Sequence, residues 1–263
     1  MSIIESFTLA IVSGLLWLRM PFTESTIPDR SSFIFFVMAY WSFTTLFQGL
    51  MSYPFERKVI NKERASGSYR LSAYFLAKTC SEAPIKLVLP TFYLIINYWM
   101  ANINPYFQYF LGFLLAEFLA ALVGESLGLF IGATVQNIKQ AFVVAAICMI
   151  ALMLVEGFFI KNLPAWLAWT KWLSFFKYAF DVCLNLQFSG SHTFQCTDGT
   201  LIRLCKMDNS TTTTTFVGRD VLNYFQVDLG IGENFVILIA MVIILRIGAY
   251  VSLRFIKDKS GRS

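Results

Sequence analysis

Four ionisable residues sit inside stretches otherwise built of apolar side chains: Glu117 and Glu125 within 107–134, Glu156 within 140–160, and Arg246 within 234–253. A charge at that depth is costly in a bilayer, so it normally faces the protein interior or a water path. One chemistry open to them is a polar relay, with Arg246 paired to one of the glutamates. The other is snorkelling from near a membrane interface. Glu156 lies shortly before Lys161 and is expected at the interface. For Glu117, Glu125 and Arg246 both readings stay open. The single histidine, His192, has no partners at ligand spacing. No HExxH, no cysteine pair at zinc spacing and no GxSxG occur. An intramembrane enzyme is therefore disfavoured and no metal site is expected.

The elements that hold these residues are apolar helices. Residues 33–53 carry no charge, and 54–70 follow at once with Arg57, Lys58, Lys62, Arg64 and Arg70 against Glu56 and Glu63. About 20 apolar residues cross a hydrocarbon core of ~30 Å as a helix, and a dense basic loop belongs on the cytoplasmic side. Composition agrees: charged residues are 14% and hydrophobic ones 57%, where a soluble domain has about 25% charged. The net charge of +5 sits mostly in that loop and the C-terminal tail. It is orientation charge, and no nucleic-acid partner is expected.

The fold class expected is an all-α integral membrane domain covering 1–263. Six spans are expected at about 3–20, 33–53, 80–101, 107–134, 140–160 and 234–253. The first is read as a retained helix, because Glu5 makes its start acidic and no signal-peptide cleavage pattern follows. Residues 23–32 read as a short polar loop turning at Pro28 and Asp29. Pro54 is expected to end the second span, and Pro84 and Pro90 to kink the third. An even number of spans places both termini in the cytoplasm, with the plasma membrane as the expected location.

The long loop 161–233 is then extracellular. Its first part is rich in Trp and Phe but interrupted by Pro164, Lys171 and Lys177. It reads as short interfacial or re-entrant helices rather than a seventh span. The rest is polar, too poor in apolar residues for a core. It carries the sequon Asn209-Ser210-Thr211, a glycosylation acceptor if outside. Cys196 and Cys205 are expected to form a disulfide there. Cys80, Cys148 and Cys183 read as buried thiols, with Cys183 a third candidate for pairing.

These residues carry a resemblance. FERKVINKERASGSYRLSAYFLAK resembles the first cytoplasmic loop of the G subfamily of ABC transporters, the White-type half transporters, through Phe55, Glu56, Arg57, Glu63, Gly67, Tyr69, Arg70 and Tyr74. SEAPIKLVLPTFYLIINYWM is similar to that family's third span, GLFIGA at 128–133 to the end of its fourth, and 156–190 to its fifth span and outer helices. The resemblance implies an ATP-driven exporter of lipophilic molecules or lipids, working by alternating access in a homo- or heterodimer with a second half transporter. It also implies a cytoplasmic coupling helix at 59–66, ended by Gly67 and resting on an ATP-binding domain. Glu56, Arg57, Glu63, Arg64, Gly67, Tyr69 and Arg70 would carry that contact. The substrate path would be lined by Trp41, Thr44, Thr45 and Gln48 on the second span and by Met149, Met153, Phe158 and Phe159 on the fifth.

The sequence departs from that pattern in holding no G-x-x-x-x-G-K-[ST] loop and no LSGGQ-like signature. It is therefore not expected to be an enzyme by itself. ATP and Mg are expected on a separate or missing nucleotide-binding domain, and a truncated product is the favoured reading of the start at Met1. Two rivals remain at this point: an ion-coupled carrier or channel, and a non-transporting membrane scaffold.

Overall fold

The computed structural model describes residues 3–65, 71–160, 164–188, 193–196, 207–208, 211–212 and 215–255. The helices are α1 (Ile3–Leu16), α2 (Ile27–Ala65), α3 (Leu71–Met100), α4 (Phe107–Thr134), α5 (Ile138–Leu154), α6 (Phe175–Phe188), α7 (Gly218–Tyr224) and α8 (Ile231–Phe255), with a 3-10 turn at Ala168–Leu173 before α6. Glu24–Tyr53, Phe107–Thr134 and Ile231–Arg254 are long and apolar enough to cross a membrane. Ile3–Leu16, Val88–Met100 and Ile138–Leu154 are shorter apolar helices.

Helix α4 is the centre of the bundle and touches α2, α3, α5, α6 and α8. Its closest neighbour is α2. Phe33, Ile34, Val37, Met38, Trp41, Leu46 and Leu50 are all buried, a stripe with the three-and-four spacing of one helix face. Opposite them α4 presents Gly124, Gly128 and Gly132. A Cβ at Gly124 would lie 2.6 Å from the Ser42 carbonyl oxygen, and one at Gly132 2.6 Å from that of Leu50. At Gly128 it would collide with the Leu46 carbonyl. Small residues every fourth position let two backbones touch, which is how helices associate where lipid removes the hydrophobic drive. GESLGLFIG carries that signal in the sequence.

The outer faces are apolar and exposed: Val143 and Ile147 on α5, and Ile243, Ile244 and Ile247 on α8. A soluble surface would not carry such stripes; lipid suits them.

Several expectations change. Pro28 and Asp29 are not in a loop; they occupy the first turn of α2, where a missing N–H costs nothing and an acidic side chain suits the helix N-terminus. Helix α2 does not end at Pro54: it runs unbroken to Ala65, so among the described residues 59–65 continue the same helix. Helix α3 holds Pro84 and Pro90 within it, where the third span was expected to contain them. A proline removes one donor without forbidding the next turn, and neighbouring helices can supply what is lost.

Helix α6 is no surface element. From Phe175 to Phe188 every residue except Asn185 is buried, against α4, α8 and α2. The polar stretch after it holds two short antiparallel ladders, β1 (Thr193–Gln195) with β4 (Thr215–Val217) and β2 (Met207–Asp208) with β3 (Thr211–Thr212). Threonine and phenylalanine favour extended backbone, so this part is not helical.

Arg30 was unremarkable in the sequence. In the structure it is fully buried. Its guanidinium donates to the carbonyls of Met20 (2.7 Å), Pro21 (3.2 Å), Asn102 (2.9 Å) and Ile103 (3.1 Å), and sits 4.2 Å from the centre of the Phe22 ring. Its planar fork of donors thereby ties the α1–α2 connection to the turn between α3 and α4.

Candidate functional site

The main polar centre lies where α3, α4 and α8 meet. Glu125 on α4 is 5% exposed. One carboxylate oxygen accepts from Lys86 Nζ on α3 at 2.5 Å, and the other from Arg246 on α8 at 3.1 Å. Arg246 Nε also donates to the Ser126 hydroxyl at 3.1 Å. One anion thus bridges two cations from two other helices. Paired, hydrogen-bonded charge is the form in which ions persist at depth. Beside it is a small apolar cavity lined by Thr45, Lys86, Pro90, Phe118, Ala121, Leu122 and Glu125. Among the described residues no group of three or more His, Cys, Asp or Glu could hold a metal ion. What the arrangement can do is lock or release three helices together, depending on whether its pairs stay closed.

Arg246 therefore meets Glu125, and not Glu117. Glu117 lies two turns earlier on α4, about 12 Å away along the axis. It is 1% exposed and neither carboxyl oxygen has a hydrogen-bond partner. Lys86 was missed in the sequence because it stands at the head of the third apolar run, where a lysine reads as an end-of-span residue. Glu156 was expected at an interface. It is instead 5% exposed, with both oxygens unpartnered, in a pocket shared with Lys177 and Asp181.

Of the path residues, Phe158 and Phe159 meet α2. Phe35 stacks on Phe158 with centroids 4.6 Å apart, and Phe159 sits edge-on to the same ring at 5.1 Å. Phe159 is about half exposed, and Met153 is half-buried. Trp41 is buried edge-on to Tyr40 and Tyr93. Thr45 donates within α2 and to the Ala121 carbonyl at 2.8 Å. Met149 is fully buried. Those three point into the core of this chain. Thr44 and Gln48, one turn apart, stay half-buried, and the Thr44 hydroxyl bonds back to the Tyr40 carbonyl at 2.8 Å.

Glu56, Arg57, Glu63 and Arg64 lie on the extension of α2 past Tyr53. Gly67, Tyr69, Arg70, His192, Cys205 and Asn209 lie outside the described residues. Cys196 is disulfide-bonded. Cys148 and Cys183 are free thiols, and Cys183 is buried, so it is not a third partner in the outer loop.

Comparison with known proteins places this geometry. Residues 1–188 match the ABC-2 type transporter membrane-domain family. ABC transporter G family member 14 of Arabidopsis thaliana is 34% identical over 202 residues, 77% of this chain and 31% of that protein. Member 22 of the same plant is 37% identical over 182 residues, 68% of this chain and 24% of that protein. Protein white of Ceratitis capitata is 27% identical over 254 residues, 95% of this chain and 36% of that protein. The chain thus spans about a third of the length of these relatives. With its apolar helices it is an integral membrane protein with a part in membrane transport. The chain belongs to the ABC-2 type transporter family, as a membrane domain of the G-subfamily kind.

Proposed function

We propose that this chain is the membrane half of an ATP-driven exporter that moves lipophilic molecules or lipids by alternating access. It acts in a dimer with a second half transporter, of the same or another kind. Residues 1–263 form one membrane domain with six spans, both termini and 54–70 in the cytoplasm, and 161–233 outside, in the plasma membrane. There Asn209 is glycosylated and Cys196 pairs with Cys205. ATP and Mg belong to a nucleotide-binding domain outside this sequence. A Caenorhabditis elegans relative, 30% identical over 174 residues, is named an ABC transporter ATP-binding protein/permease, which supports that partner.

One observation carries the reading: α2 is a single helix from Ile27 to Ala65. The half-exposed Thr44 and Gln48 face lies in its apolar part, and Glu56, Arg57, Glu63 and Arg64 lie on its extension. A continuous helix transmits a push at one end to the other without a hinge to absorb it. Movement of an ATP-binding domain against 56–64 would therefore reach the wall of the path directly. The aromatic contact of Phe35 with Phe158 and Phe159 is the part that closes the path on the 161–233 side. Large, flat rings re-pack around different apolar shapes.

The test is reconstitution of the full-length protein in liposomes, with uptake of a lipid or lipophilic dye followed alongside ATP hydrolysis. Export that needs hydrolysable ATP and persists with every ion gradient collapsed is the expected result. Movement that follows an ion gradient without ATP would replace this reading with the carrier or channel.

A further inference from the structure

A second charged cluster lies away from the Glu125 centre, where the chain leaves α5. Helix α5 ends at Leu154, and the backbone turns sharply at Gly157, whose φ is +112°. That turn sends Phe158 towards α2 and leaves Glu156 facing inward. The pocket Glu156 enters is lined by Lys171, Lys177, Phe180, Asp181 and Gln226. Lys177 and Asp181, one turn apart on α6, are paired at 2.7 Å with both side chains about 95% buried. Glu156 has no hydrogen-bond partner for either oxygen.

We infer that Glu156, Asp181 and Lys177 form a proton-binding site in which two carboxyl groups compete for one ammonium, so that pH on the 161–233 side decides which of them Lys177 holds. The cavity has room for about 30 Å³. That suits a water molecule and not an organic ligand. Among the described residues no cluster of three or more His, Cys, Asp or Glu could hold a metal ion. A proton is the ligand that fits.

The charge balance follows from the groups that face the site. Besides Glu156 and Asp181 these are Lys177 and Tyr178 on α6, Lys171 on the 3-10 turn, and Asp228 between α7 and α8. Glu156 lies beyond the end of α5. Burial, with Asp181 adding to it, holds its carboxyl well above the ordinary range. Burial favours its neutral form, which is how an unpartnered carboxyl tolerates its position. Asp181 is pushed up by burial to about 6, with the Lys177 ammonium only partly offsetting that. While Glu156 keeps its proton, Lys177 holds Asp181. Below about pH 6 Asp181 takes a proton and Lys177 loses its partner. When Glu156 loses its proton, the new buried anion draws on Lys177. In each step a single proton enters from or leaves to water.

A reporter is built in. The Lys177 and Lys171 ammonium groups lie 5.3 and 5.2 Å from the Trp172 ring centre. The Tyr178 hydroxyl donates to the Trp172 carbonyl at 2.7 Å, so the backbone under the ring is fixed. Movement of Lys177 changes the charge over the indole and hence its emission. Phe180, in the pocket wall, is edge-on to Phe158 at 5.7 Å, which puts the exchange next to the aromatic contact of the proposed path. The titration stands without that path.

The experiment follows tryptophan emission of the whole chain in lipid nanodiscs, acidic to alkaline, with the W172F trace subtracted. Two transitions are expected in the difference, one near pH 6 and one from Glu156. E156Q should abolish the second and keep the one near pH 6; D181N should abolish the one near pH 6 and, by freeing Lys177 to hold Glu156, move the Glu156 transition to lower pH. K171M should leave both. A flat difference trace overturns the inference, as does a pair of transitions unchanged in E156Q. Loss of both in K171M overturns it too, because the reporter would then be sensing Lys171. If D181N does not run as folded protein on gel filtration, E156Q alone decides, since the amide matches the neutral acid it replaces in size.

Discussion

Glu125 and Glu156 are equally buried, each 5% exposed, and their surroundings are opposite. Glu125 is gripped by two cations from two helices. Glu156 has no partner, and the nearby lysine is already held by Asp181. Burial alone therefore does not say what a membrane carboxylate does. Direct pairing does: Glu125 is bonded to two cations and makes a pin, while Glu156 is bonded to none and shares its pocket with an acid that already holds Lys177.

The sharpest way to break that contrast is to neutralise each. Glu125→Gln strands two largely buried cations, and loss of one member of a buried ionic set costs about 3–5 kcal/mol. A large fall in the thermal midpoint in nanodiscs is expected. Glu156→Gln replaces a neutral acid by a neutral amide and should leave the midpoint nearly where it was. Equal losses would show that both sites are structural.

The same contrast marks what the sequence disclosed. Hydropathy located apolar helices, three of them long enough to cross a membrane, and Glu125 with Arg246 could be suspected of pairing because each is an isolated charge in an apolar run. Which glutamate Arg246 meets depends on how far α8 slides along α4, and no local pattern encodes that. Lys86 was missed and Glu156 misjudged for one shared reason. Each stands near the end of an apolar run, where a charge normally reaches water, and here a neighbouring helix covers it. Arg30 was hidden because its partners are carbonyls, which every residue has. Pro54 misled because a proline is a strong local signal that tertiary packing overrode.

The pin also depends on how closely α2 and α4 approach. Gly128→Val places a Cβ against the Leu46 carbonyl, and backbone cannot move aside as a side-chain tip can. Overpacking of this kind costs about 1–3 kcal/mol. Gly232→Val at the start of α8, where an added Cβ meets nothing within 4 Å, is the matched control and should be close to neutral. A Gly128 variant as stable as the Gly232 variant would mean that the helices can separate freely, and the Glu125 network would not be a rigid link.

On the other side of the comparison, the sign of the pH effect is fixed. Asp181 has a folded-state value near 6 against an ordinary 3.8, so the folded protein binds its proton more tightly than the unfolded chain does. Its contribution to stability is largest below about 4 and is lost as pH rises through about 6. Between about pH 4 and 6 the thermal midpoint of wild type should fall relative to that of Asp181→Asn as pH rises, and the two should run parallel above that window. Parallel curves throughout would leave Asp181 with an unshifted carboxylate and the cluster with no acid transition.

A third glutamate gives the smallest expected change in stability and the clearest separation of stability from function. Glu63 lies on the extension of α2, beside Lys62, whose side chain is exposed. Glu63→Ala should shift stability by no more than about 0.5 kcal/mol. If α2 carries motion from an ATP-binding domain to the path, the same change should lower transport and separate it from ATP hydrolysis in the reconstituted full-length protein. A helix can act as a rod only if something pushes its end, and a charge at that end is part of what is pushed. Unaltered transport together with unaltered substrate-stimulated hydrolysis would leave the extension as a marker of membrane orientation only. The carrier or channel reading would then have to explain Glu125 and its two cations.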